Sequence, residues 1–206
     1  MPTESKRDRL ARTMRSTASS RFIAAARLAR HDKLLTRLTA FTSAYVIALT
    51  VLPYFLKQPT VITDIYNFVT VVLSIVILVS SLLQYSSGDV VNAEQHHRSG
   101  LEINELRRLL LLKDEETITN AELDDFSNKY GAVLQKYSIN HEDIDYLQFQ
   151  LDRPEEHPWA GKWHKARARV RLAYRKFLPS VILTLLTFLV GALLWIGIAP
   201  HLAGHP

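Results

Sequence analysis

Three stretches of the chain are apolar at nearly every position, and polar segments with helical periodicity separate them. The first, Leu38 to Leu56, carries no charge over nineteen residues, about the number that crosses a hydrocarbon core at 1.5 Å rise per residue. The second, Ile65 to Leu83, is richer in Val and Ile, and the third, Phe177 to Ile198, reads FLPSVILTLLTFLVGALLWIGI. Core helices of soluble proteins usually keep a polar stripe; these stretches are apolar around most of their circumference and predict three membrane spans. Pro179 falls in the first turn of the third span, where a missing N–H costs little, while Pro53 lies inside the first span and predicts a kink near its outer end. A cleaved signal peptide is not expected, because the first span follows a charged segment and exceeds the usual length of a signal core.

The polar segments carry their own periods. Arg21 to Arg37 sets FIAAARLA among Arg27, Arg30, Lys33 and Arg37, which predicts an amphipathic helix leading into the first span. Met1 to Ser20, polar and basic with little to bury, is expected to be disordered. After the second span a helix should continue through VVNAEQHHRSGLEINELRRLLLL with Leu101, Leu106, Leu109 and Leu110 as its apolar face and Gly100 as a weak point. Thr119 and Glu122 have the spacing of a capping box. The helix they open places Leu123, Phe126, Tyr130, Val133, Leu134 and Tyr137 on one side, and Asn140 can cap a shorter one through Ile144, Leu147 and Leu151. Pro154 and Pro158 break the pattern. Beyond them, Trp159, Trp163, Ala166, Val170, Tyr174 and Phe177 share a face, flanked on one side by Lys162, Lys165 and Arg169 and on the other by Arg167, Arg171 and Arg175. Such a helix either lies on an anionic inner leaflet or packs on the acidic middle of the chain.

Charge supplies the orientation. The formal net charge is +5, but Met1 to Arg37 holds ten Lys and Arg against three acids, Asp89 to Glu156 seven against sixteen, and His157 to Lys176 seven against none. The stretches Lys57 to Asp64 and Ala199 to Pro206 together carry one of the 25 basic residues. Basic residues stay on the cytoplasmic side, so the N-terminus is expected inside and the C-terminus outside an inner membrane. Tyr54, Phe55, Tyr66, Phe68 and Trp195 then fall near the outer interface and Tyr85 near the inner one, with Trp159 and Trp163 as further interfacial aromatics. The chain reads as an all-α integral membrane protein with three transmembrane helices and a cytoplasmic helical region between the second and third. Its expected parts are a disordered basic arm (1–20), an amphipathic helix with a transmembrane hairpin (21–83), the cytoplasmic helical region (84–158), a basic amphipathic helix with the third span (159–198) and a short external tail (199–206).

Few chemistries have a foothold. There is no cysteine, which excludes disulfides, thiolate metal sites and a Cys nucleophile. Phosphate-binding glycine loops, H-E-x-x-H and G-x-S-x-G are absent, and no ionisable group sits at membrane depth, so no enzyme and no cofactor is expected. His96 and His97 diverge by about 100° on a helix and make a poor metal pair; a structural or pH-sensitive role suits them better. The acidic residues Asp114, Glu115, Glu116, Glu142, Asp143 and Asp145 lack the alternating spacing of a calcium loop and are read as solvated surface. More telling are uncharged polar residues within the spans: Asn67, Thr70, Ser74 and Ser81 on one face of the second, and Thr39, Ser43 and Thr50 on one face of the first. They serve as contacts between membrane helices, the reading that the frequency of Ser and Thr at helix interfaces favours, or line a water path in an oligomer.

The order of these parts resembles a known family. RFIAAARLARHDKLLTRLTAFTSAYVIAL, then VVLSIVILVSSLLQYSSGDVVNAEQHHRSGLEINELRRLL, then YGAVLQKYSINHEDIDY is similar to the SLATT family, two-transmembrane effectors associated with SMODS nucleotidyltransferases and SLOG proteins in bacterial conflict systems. The similarity runs from about Arg21 to Gln150 and includes the pair Ala93 and His96. It implies an antiviral effector that disrupts the inner membrane when a partner senses infection, the partner being a nucleotidyltransferase, a SLOG-type sensor or a reverse transcriptase. A third span departs from the two-span pattern. A homo-oligomer is expected, because three spans cannot easily enclose an aqueous path; the competing reading is a non-conducting membrane anchor or adaptor that recruits a partner enzyme. Direct nucleic-acid binding is not expected.

Overall fold

The computed structural model describes residues 5–56, 59–137, 139–140, 142–153 and 161–203, without the side chains of 175–176, 178–179 and 200–203. Among the described residues every regular element is a helix: α1 (Lys6–Leu56), α2 (Thr60–Ser87), α3 (Asp89–Leu111), α4 (Asn120–Lys136), α5 (Asp143–Asp152) and α6 (Lys162–Ala203). Three helical regions, in α1, in α2 continued by α3, and in α6, are long and apolar enough to cross a membrane. The chain is thus all-α with three spans. It forms two compact units, residues 1–30 with 89–172 and residues 31–88 with 173–206.

The first unit is built around the part of the chain expected to be disordered. Residues 1–4 lie outside the description, but from Lys6 onward the basic arm is helical, because Ala11, Met14 and Ala18 recur at three- and four-residue intervals and bury against Ile103, Leu110 and Phe126. Small residues let α1 approach closely, and Met14, fully buried, fills the gap. Two basic residues ahead of them find acceptors. Arg7 donates to the Lys113 carbonyl at 2.8 Å, and Lys6 donates to Asn120 Oδ1 at 3.2 Å.

α3 does not simply continue α2. Gly88 adopts a left-handed conformation, φ 59°, and ends α2, a backbone region a side chain would resist. α3 buries only part of the leucine face expected of it: Leu110 is in the core and Leu106 packs against it. Leu101 and Leu109 are exposed, whereas Ala93, His96, Gly100, Ile103 and Leu110 are buried. Gly100 is a close approach: a Cβ there would lie 2.9 Å from Phe22 Cε1, and the Phe22 ring is met on another side by His97, edge-on at 5.6 Å.

The Thr119 capping box is complete. Thr119 Oγ1 accepts from the Glu122 backbone N–H at 3.2 Å and Glu122 Oε2 accepts from the Thr119 N–H at 3.0 Å. That backbone bond, with Lys113 2.9 Å away, holds the Glu122 carboxyl down at about 2. α4 buries the expected face, Leu123, Phe126, Tyr130, Val133 and Leu134 packing into the core of this unit. α5 is capped by Glu142 and not by Asn140: its box pairs Glu142 with Asp145, whose Oδ2 accepts the Glu142 N–H at 3.0 Å. A carboxylate at this position also suits the positive end of the helix dipole.

The second unit packs α1, α2 and α6 around Leu49, Tyr66, Leu73 and Val190. Tyr66, one of the aromatics expected near the outer interface, is buried between the helices, and its hydroxyl donates to the Leu193 carbonyl at 2.9 Å. A phenol buried among apolar side chains needs such a partner. Tyr54, Phe55, Phe68 and Tyr85 are exposed.

Candidate functional site

The polar residues of the spans separate into distinct environments. Along α2 the buried positions are Tyr66, Leu73 and Ser80, seven residues apart. Asn67, Ser74 and Ser81 each lie one residue further on and are exposed, about 100° around the helix. The stripe therefore turns away from the three-helix core. Thr70 sits between: it is half-buried, and its Oγ1 is enclosed with no hydrogen-bond partner among the described residues. In α1, Thr39 is an interhelical contact, its hydroxyl 3.0 Å from Ser80 Oγ on α2. Ser43 and Thr50 return their hydroxyls to the carbonyls of Thr39 and Val46, at 2.8 and 2.7 Å, the usual way a hydroxyl satisfies itself in an apolar helix. Thr42, which the pattern did not single out, is fully buried with an unpartnered Oγ1 among the described residues.

α6 begins with the basic segment. Ala168 is buried and Lys165 and Leu172 are half-buried, so this side packs on protein. The aromatic side does not: Trp163 is 88% exposed and Val170 69%, and Ala166, Tyr174 and Phe177 are exposed as well. Lys162, Arg167, Arg169 and Arg171 are exposed along it. Trp159 and the side chain of Arg175 lie outside the described residues, and Trp195, near the other end of α6, is exposed. An apolar floor with cationic edges left uncovered by its own unit suits the surface of an anionic leaflet. Replacing Lys162, Arg167, Arg169 and Arg171 by Gln is expected to weaken binding of the detergent-free protein's α6 segment, as a peptide, to phosphatidylglycerol vesicles by about 1 kcal/mol per charge. Unchanged partitioning would assign the face to a protein contact.

Pattern alone missed an ionic cluster in the first unit. Arg27 of α1 donates to both oxygens of Asp145, from Nε at 2.9 Å and from Nη2 at 3.0 Å, and pairs with Glu142 at 2.9 Å. Asp145 is 1% exposed. Burial pulls the Arg27 pKa down, but the two carboxylates outweigh it and raise the value overall. Arg21, six residues earlier, is buried against Ser99 Oγ and the Ile139 carbonyl, and burial lowers its pKa. Arg27 and Asp145 are 118 positions apart, so no local spacing announces them.

Comparison with known proteins adds one match. A family model described as SMODS and SLOG-associating 2TM effector domain family 5 matches residues 3–197, nearly the whole chain and beyond the span over which the resemblance was traced. The description counts two transmembrane helices; this chain has three helices of spanning length, and the match includes most of the third. No curated protein and no solved structure matches.

Proposed function

Because the chain belongs to the SMODS and SLOG-associating 2TM effector domain family 5, a family of membrane effectors in conflict systems, we propose that it oligomerises in the inner membrane and permeabilises it when triggered. The trigger, a partner protein or a nucleotide signal, acts through the helices of the first unit, which lie in the cytoplasm. The observation that carries this reading is the exposed stripe Asn67, Ser74 and Ser81. Within a single copy, Leu49, Tyr66, Leu73 and Val190 pack against one another between the spans. Polar side chains directed away from that core line a path only when several copies bring them together.

The test is membrane potential in cells that make the chain together with its genomic neighbours. Depolarisation on triggering, with the chain in a defined oligomer, supports the proposal; an unchanged potential in the triggered state removes it. A second reading, a non-conducting anchor that recruits an enzyme, is favoured by one detail. Ser74 already donates to the Thr70 carbonyl at 2.8 Å, which makes that position tolerable against lipid without a lumen.

Topology follows from the basic residues. Reporter fusions near Gly131 should be cytoplasmic and fusions at Pro206 external, because segments with one of the 25 basic residues are the ones placed outside. A periplasmic signal at Gly131 would overturn the orientation and the triggering route with it.

A further inference from the structure

The second unit carries a groove of about 640 Å³ between α1 and α6. Phe41 and Tyr45 form its α1 side, and Leu183, Phe188 and Trp195 mark its course along α6. We infer that this groove holds one acyl chain of an anionic phospholipid, whose headgroup phosphate meets Arg37, one helical turn before Phe41.

Three features of the groove select that ligand. The first is its chemistry: Tyr45 donates to Thr187 Oγ1, and Thr187 and Thr184 donate to the carbonyls of Leu183 and Ser180, each at 2.9 Å. Every hydroxyl proton of the lining is thereby committed, so the groove offers a polar ligand no donor, and its remaining surface is hydrocarbon and aromatic. Size is the second. From Leu183 to Trp195 the groove follows α6 for about 18 Å at 1.5 Å rise per residue, close to the ~15 Å that one leaflet contributes to a hydrocarbon core of ~30 Å. Its volume spread over that length corresponds to a width of about 7 Å. An α-helix with its side chains is about 10–12 Å across and too wide for these walls, whereas a hydrocarbon chain, packing at about 3.5–4.0 Å from its neighbours, fits. Gly191 supplies part of the depth, since a Cβ there would meet nothing within 4 Å. Charge is the third. Arg37 is the last charged residue before the first span; it is exposed, as is Lys33 one turn earlier, and neither has an ion pair among the described residues. A lipid phosphate at the membrane surface is the matching partner for such a guanidinium.

Such binding is independent of permeabilisation, and it is read directly on the full chain in detergent. The chain is titrated with equimolar dioleoylphosphatidylglycerol and dioleoylphosphatidylcholine, which share their tails and differ in headgroup, and the bound lipid is counted by native mass spectrometry. One phosphatidylglycerol per chain is expected, at several times the occupancy of phosphatidylcholine. Arg37→Gln should bring the two lipids close to parity, a loss of about fivefold in preference for one cation near the headgroup, with both still bound. Gly191→Leu extends a side chain into the groove from a position where a Cβ meets nothing, and it should expel the tail and with it both lipids. Glycerol 3-phosphate, the phosphate end without a tail, should displace neither. Equal retention of the two lipids by the wild-type chain overturns the inference, as does unchanged lipid binding in Gly191→Leu or displacement by glycerol 3-phosphate. A changed oligomer mass in Gly191→Leu with the lipid still bound assigns the groove to a second copy instead. Arg37 is exposed, so its variant keeps the headgroup test decisive if Gly191→Leu fails to fold.

Discussion

Cells producing the Asn67→Leu/Ser74→Leu double variant at wild-type levels are expected to keep their membrane potential, and to survive, under conditions in which the wild-type chain depolarises them. Both side chains are exposed on α2, away from the core formed by Leu49, Tyr66, Leu73 and Val190, so the substitutions leave that core intact. Leucine is favourable in a span, and insertion should be unchanged. In an assembled path, however, two apolar side chains per copy would ring the lumen and promote dewetting. Depolarisation should fall to background. Oligomer size, measured on the same membranes, separates the outcomes: an intact oligomer without depolarisation places the stripe in the lumen, whereas a lost oligomer places it at the contact between copies. Depolarisation equal to wild type would sink the role of the stripe. Thr70→Leu is the contrasting case, since its Oγ1 is enclosed within the unit and the extra volume would meet neighbouring helices.

The largest stability effect is expected at Arg27. Removing it by Arg27→Ala leaves the Asp145 carboxylate, 1% exposed, with the Glu142 N–H still donating to it, and breaking a buried pair from one side costs about 3–5 kcal/mol. The surviving backbone bond puts the effect near the lower end. For a chain of this size a loss of about 3 kcal/mol lowers Tm by roughly 6–12 °C. Thermal unfolding in detergent, followed by circular dichroism, measures it. The double variant Arg27→Ala/Asp145→Asn should recover part of the loss, because the stranded charge is gone. A shift under about 1 kcal/mol for Arg27→Ala, the size of a solvated surface pair, would show that water reaches Asp145.

Much of the architecture was legible because its signals are local. Span length needs only a run of uncharged residues, and Thr119 with Glu122 needs only a three-residue spacing; both appear in the structure where the sequence puts them. What was hidden depends on partners distant in the chain. Ala11, Met14 and Ala18 look sparse among arginines, and only Ile103, Leu110 and Phe126 turn them into a core. Of the α3 leucines Leu101, Leu106, Leu109 and Leu110, only Leu106 and Leu110 pack into the core, because the Phe22 ring close to Gly100 turns the buried side away from the other two. Asp145 read as solvated surface until Arg27 came to it. In the spans, periodicity identified a polar stripe on α2, but whether Asn67 or its neighbour Tyr66 faces the other helices is a difference of one residue, and packing against Leu193 decides it.

The seven-residue interval of that stripe has a geometric consequence for any assembly built on it. An ideal α-helix of 3.6 residues per turn falls behind a seven-residue repeat by about 20° each time, so between Asn67 and Ser81 the polar line drifts around α2 by about 40°. Copies that stay in register along the whole line must cross with a left-handed tilt, near the +20° common among membrane helices. A ring of such tilted helices cannot be a straight cylinder. Its bore narrows where the helices pass closest and flares away from that level, so the height at which Asn67, Ser74 or Ser81 meets its symmetry mates decides which of the three sets the constriction.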